Sequence, residues 1–174
     1  MPEDAQTELA DIDDIVRLKH AYFRLLDTKH FDELGTLLTE DATSAFASGE
    51  LSHQGRAAIV AFLTDSLGDT GFVTMHTGHH PEITLTSSTT ATGRWYLEDR
   101  VIVPAHDFEL HGTALYSDEY RKVDGRWRIS HTGYDRIFEE QRRRSSGEIL
   151  SFSSRFGAPG NGRAEGGPAP RATS

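Results

Sequence analysis

The 174-residue chain contains no cysteine. That excludes disulfides, thiolate zinc sites, iron–sulfur clusters and a cysteine nucleophile. No apolar run approaches the ~18 residues a membrane-spanning helix needs, and the reading is of a protein with no membrane partner. Positive charge is also scarce: 18 Lys and Arg stand against 27 Asp and Glu, a formal net charge of −9. Residues 145–174 hold Arg155, Arg163 and Arg171 against Glu148 and Glu165, so the body before them carries −10. A body that acidic argues against nucleic acid as a partner. The opening MPEDAQTELADIDD is acidic where a secretory signal would be basic and then apolar, and reads as cytoplasmic. There is no phosphate-cradling glycine loop, no G-x-S-x-G elbow, no H-E-x-x-H and no calcium loop.

Apolar residues are few as well, at 36%. The deficit is local. Residues 157–174 (GAPGNGRAEGGPAPRATS) place Gly, Pro or Ala at twelve of eighteen positions and hold no large apolar side chain. Such a stretch cannot bury enough surface to offset its ordering entropy, and is expected to be a disordered tail. The folding unit is expected to span 1–144, with 145–156 between it and the tail.

What is present changes period along the chain. Residues 7–28 read as an amphipathic helix, with Leu9, Ile12, Val16, Phe23 and Leu26 at three- and four-residue steps. Ile15, Leu18, Tyr22 and Leu25 widen its stripe, and Thr7 is the expected cap. A short helix is expected at 31–38, a strand at 41–47, a turn at 49–55, and a third helix at 56–67. From residue 72 the period is two. Strands are expected near 72–79, 82–87, 90–103, 107–123 and 126–136, with a turn at SSTT 87–90. VDGRW at 123–127 is a hairpin signal, because Asp-Gly supplies the positive φ angles of a tight turn. Helices first and a long antiparallel meander after give an α+β fold. Helices wrapped by a curved sheet form a cone with an apolar interior, a small-molecule site.

Asp27 falls in the last turn of the first helix, where the helix dipole disfavours a carboxylate. It reads either as a solvated residue beside Lys29 or as the partner of a histidine. An Asp–His pair is a general base whose carboxylate fixes the tautomer. Of nine histidines, His76, His79 and His80 cluster. His76 and His79 would point to opposite faces of a strand, and His76 and His80 would lie roughly 13 Å apart at about 3.3 Å per residue. One ion does not bridge that span, so no metal is expected. Tyr134 and Arg136, two apart, share a face. If that face is the interior, Arg136 is a buried cation that needs a carboxylate or a substrate oxygen.

Five segments carry a resemblance: AYFRLLDTKHFDEL at 21–34, TMH at 74–76, VPAH at 103–106, YRKVDGRW at 120–127 and DRIFE at 135–139. The chain resembles the SnoaL-like branch of the nuclear-transport-factor-2-like superfamily, the group that contains bile acid 7α-dehydratase and scytalone dehydratase. The resemblance implies a cone-shaped α+β barrel. It implies a dyad of His76 as base and Asp27 as its orienter, with Tyr22 as carbonyl binder or proton donor. His106 matches a second site histidine and Arg136 lies near a site arginine. Leu26 and Phe46 stand where scytalone dehydratase has two tyrosines, so the bile-acid-type arrangement is favoured. The implied lining is Phe46, Leu26, Trp95, Tyr116 and Tyr134. Ile149, Leu150 and Phe152 correspond to a segment that closes over the cone.

The implied activity is a cofactor-independent dehydratase or isomerase acting on an apolar, hydroxylated ring compound, steroid-like or polyketide-like. A polyketide cyclase is an alternative on the same dyad, and a non-catalytic binding or assembly module is another. Relatives are dimers or trimers, so a homo-oligomer is implied.

Overall fold

The structure is a computed structural model and describes residues 3–154. The tail at 157–174 lies outside the described residues. Helix α1 spans Glu3–Asp27, α2 Phe31–Thr36 and α3 Arg56–Leu67. The strands are β1 Leu38–Phe46, β2 Leu51–Gln54, β3 Val73–Leu85, β4 Thr90–Val103, β5 Phe108–Val123, β6 Arg126–Arg143 and β7 Ile149–Ser154. They form one seven-stranded sheet in the order β2-β1-β6-β5-β4-β3, with β7 also paired to β6.

Helix α1 begins four residues earlier than Thr7 marks, so Thr7 lies within it. Its buried stripe is Ile15, Leu18, Tyr22, Phe23, Leu25 and Leu26, whereas Leu9 is 57% exposed. The stripe is therefore centred on the residues expected only to widen it. The helix stops where Lys29 takes a left-handed φ of 61° and the His30 amide bonds back to the Leu25 carbonyl. At the hairpin, Asp124 (φ 51°) and Gly125 (φ 74°) both take the left-handed conformation the tight turn needs.

The sheet is curved and open, not a closed barrel: β2 and β3 are its ends. It is also mixed, because β1 runs parallel to β6. The two strands expected at 72–79 and 82–87 are one strand, β3, broken only by an irregularity between His79 and Glu82. There His80 takes φ 51° ahead of Pro81. Further register shifts fall between β5 and β6. Bulges raise local twist and bend the strand that carries them, which curls the sheet around α1. Residues 51–54, expected as turn, pair with β1. Strand β6 runs seven residues past the expected end. Within 145–156, residues 149–154 pair with β6 as β7, and Leu150 is exposed.

The core lies between α1 and the concave face of the sheet. Along β4 the inward positions are Ala91, Gly93, Trp95, Leu97 and Asp99; along β5 they include Ala114, Tyr116, Asp118 and Tyr120. Both strands thus turn an acidic residue into the interior.

Candidate active site

The last turn of α1 meets β3. Asp27 accepts three hydrogen bonds there: from His76 Nδ1 at 2.6 Å, from the His76 backbone amide at 2.8 Å and from Thr74 Oγ1 at 2.8 Å. Three donors on one carboxylate fix its rotamer. With Asp27 as its partner, His76 Nδ1 carries the proton, which leaves Nε2 unprotonated in the neutral ring. The His76 ring stacks against Phe23, with centroids 6.5 Å apart and planes 7° from parallel. The His76 side chain is 10% exposed and that of Asp27 22%.

His76 lines a cavity of about 150 Å³ between α1, α3 and the sheet. Tyr22, Leu26, Phe46, Tyr116, Tyr134 and Arg136 line it too. Tyr22 is fully buried, and its hydroxyl makes no hydrogen bond of full geometry, its one polar neighbour of note being the Tyr116 side chain. Burial, reinforced by the Asp118 carboxylate, pushes its phenol well above the usual range, so it stays a neutral O–H. Tyr116 and Tyr134 are shifted the same way, chiefly by burial.

Arg136 is a partly buried cation on the interior face, and its anion is a carboxylate. Nη1 and Nη2 reach the two oxygens of Asp99 at 2.5 and 2.7 Å, and Nε lies 3.3 Å from Glu139. Burial opposes the guanidinium charge, but these carboxylates outweigh it and raise its proton affinity further. Asp99 is the β4 residue paired with His76, so both polar pairs sit side by side. Gly112 makes this possible. A Cβ there would lie 2.8 Å from Arg136 Nη1 and 3.2 Å from Asp99 Oδ1.

Two expected site residues lie elsewhere. His106 is exposed on the short 3-10 turn Pro104–His106, away from the lining. Its strand-end position before Asp107, at φ 52°, turns the chain outward. Trp95 is core: 1% exposed, it donates Nε1–H to Tyr120 Oη at 3.0 Å and does not reach the cavity. Asp99, Val101, Phe62, Leu63 and Leu67 are lining residues that were not anticipated. The alternation of β4 carried the signal for Asp99, and the apolar face of residues 56–67 that for the α3 residues. Among the described residues, no three His, Asp or Glu side chains are grouped to hold a metal ion.

A helix roofs a curved, open sheet, with an Asp–His pair at the edge of an apolar cavity. The family model "SnoaL-like domain" matches residues 7–133, and the chain belongs to that family. Among solved structures, the chain is similar to a provisionally assigned scytalone dehydratase from Novosphingobium aromaticivorans. That match has 24% identity and a TM-score of 0.70, over 92% of this chain and 99% of that one. It is similar to hexachlorocyclohexane dehydrochlorinase LinA-type3 from Novosphingobium barchaimii at 16% identity and TM-score 0.68, over 88% and 96%. It is also similar to ActVI-ORFA from Streptomyces coelicolor at 17% and 0.61, over 72% and 96%. At these identities the likeness establishes the fold. No described helix is long and apolar enough to cross a membrane.

Proposed function

We propose that the protein is a lyase that eliminates water from a hydroxylated, apolar ring ketone, with His76 as general base. The observation that carries this reading is the 2.6 Å Asp27–His76 hydrogen bond at the wall of an apolar cavity. Asp27 holds Nδ1–H and stabilises the imidazolium that forms, and Nε2 takes the α-proton. The Tyr22 hydroxyl donates to the enolate oxygen. A buried phenol without a well-formed hydrogen bond is costly, which favours a ligand oxygen as its partner in the working state. Arg136 is engaged by Asp99 and Glu139; its role is to set the field around the enolate, with Asp99 fixing its position. With His106 on the surface, the proton for the leaving hydroxide comes from the His76 imidazolium. The residues need no cofactor for these steps. The names borne by similar proteins, a dehydratase and a dehydrochlorinase, are both of elimination enzymes.

A homo-oligomer is part of the same proposal. The outer face of the sheet shows Val73, Met75 and Tyr96 at 53%, 47% and 48% exposure, side chains a second copy would cover.

His76→Ala should lower turnover of a responsive hydroxy ketone by ~10²–10⁴-fold, the range for loss of a general base, with the circular dichroism spectrum unchanged. Turnover within threefold of the parent would remove His76 from the chemistry.

A further inference from the structure

The cavity beside His76 measures about 150 Å³, is open on one side and is closed at the other by aromatic rings. A void of that size holds one benzene-sized ring, and pockets for drug-sized ligands are about 300–1,000 Å³. Its end wall is built of rings in contact. Phe46 lies 5.9 Å from Phe62 and 5.7 Å from Tyr134, centroid to centroid. Polarity is gathered along one edge. His76 and Asp99 are paired residues of β3 and β4, and Arg136 reaches Asp99 across Gly112 of β5. Helix α3 and β1 supply the apolar remainder through Phe62, Leu63, Leu67 and Phe46.

Charge narrows the choice again. Among the described residues, the one cation of the lining is met by both oxygens of Asp99 and by Glu139, and Asp27 adds a further carboxylate nearby. An anionic ligand would have to displace Asp99 from Arg136 and sit among carboxylates. A neutral ligand meets neither cost.

We infer that this site takes a neutral, single-ring compound with its oxygens along one edge, of the β-hydroxycyclohexanone class, and that Phe46 and Phe62 set the size limit. The inference rests on the elimination reading for the placement of the oxygens. In 3-hydroxycyclohexanone, the C2–H bond breaks and its proton passes to His76 Nε2. The electron pair moves onto the ketone oxygen as an enolate that accepts from Tyr22, then forms the C2–C3 double bond as the C3–O bond breaks, and hydroxide takes the proton back as water. The products are cyclohex-2-enone and water.

Binding tests size and charge without turnover. The full chain is titrated with cyclohexanone, 2-decalone and cyclohexanecarboxylate, and the amide signals of His76 and Phe62 are followed by NMR. Cyclohexanone should shift both signals. 2-Decalone should bind at least ~10-fold more weakly, as expected for overfilling a packed site, and the carboxylate should not bind. Phe62→Ala should bring 2-decalone within ~3-fold of cyclohexanone, and Phe62→Leu serves if the alanine variant does not fold. The inference is overturned if 2-decalone or the carboxylate binds as tightly as cyclohexanone, or if no ketone binds. A parallel assay follows enone absorbance from 3-hydroxycyclohexanone. Selective binding of cyclohexanone without enone formation would support the ligand class and overturn the elimination reading.

Discussion

Helix α1 reaches the sheet through three polar side chains spaced eight residues apart: Asp11, Lys19 and Asp27. At 1.5 Å per residue they are ~12 Å from one another along the axis. The middle and last of them differ in what surrounds them. Lys19 and Asp118 form a pair at 2.8 Å in which both side chains are 0% exposed. Tyr120 donates to the same Asp118 oxygen at 2.8 Å, and the Lys19 ammonium lies 3.6 Å from the centroid of the Tyr116 ring. Burial lowers the proton affinity of Lys19, with Asp118 opposing it. Asp27 and His76 are instead partly exposed, His76 borders a cavity, and one of its ring nitrogens is left free. A sealed ion pair orders the interior and has no route to a ligand. The same construction at the cavity edge becomes a base. Position along one helix separates structure from chemistry here.

The sharpest way to break this comparison is Lys19→Met. It leaves Asp118 as a buried, unpaired carboxylate and should cost ~3–5 kcal/mol, read as a lower denaturation midpoint in urea. A loss under 1 kcal/mol would mean the pair is not the structural anchor described. Tyr22→Phe sharpens the opposite side. It removes a hydroxyl whose contact with Tyr116 falls short of a full hydrogen bond, so stability should change little, while turnover falls ~10²-fold with the lost donor. A variant that keeps full turnover would take Tyr22 out of the site. The smallest effect concerns Asp11, the first of the three. Burial works against its carboxylate, but hydrogen bonds from Lys122 and Trp127 hold it below the ordinary value of 3.8. A depressed carboxylate contributes stability above its unfolded pKa and loses it as pH falls through the folded one. Stability should therefore fall as pH drops below ~4, and Asp11→Asn should flatten that acid limb in thermal melts. An unchanged limb would contradict the assignment.

Much of this arrangement was legible beforehand. The 3.6-residue period marked α1 and α3, and Asp-Gly marked the β5–β6 hairpin. The Asp27–His76 pair came from the resemblance. The residues by themselves left Asp27 open between solvent and site, because a helix end does not reveal which strand faces it. Asp99, Asp118 and Lys19 were readable in principle from the inward register of β4, β5 and α1, but an acidic or basic residue on a strand or helix is ordinarily solvated. The parallel β1–β6 pairing was not readable, since it joins segments about ninety residues apart. His106 was placed by a shared motif, which fixes sequence position but not the turn that carries it to the surface; Trp95 does face inward, but it packs in the core on Tyr120 and not at the cavity.

The most direct test is the tautomer of neutral His76, read from its side-chain nitrogen shifts in ¹⁵N-labelled protein. The account predicts a proton on Nδ1, held by Asp27, with Nε2 unprotonated, and a shift towards the Nε2-protonated form in Asp27→Asn. Nε2 protonated in the parent protein would contradict it, because the base would then have no lone pair facing the cavity.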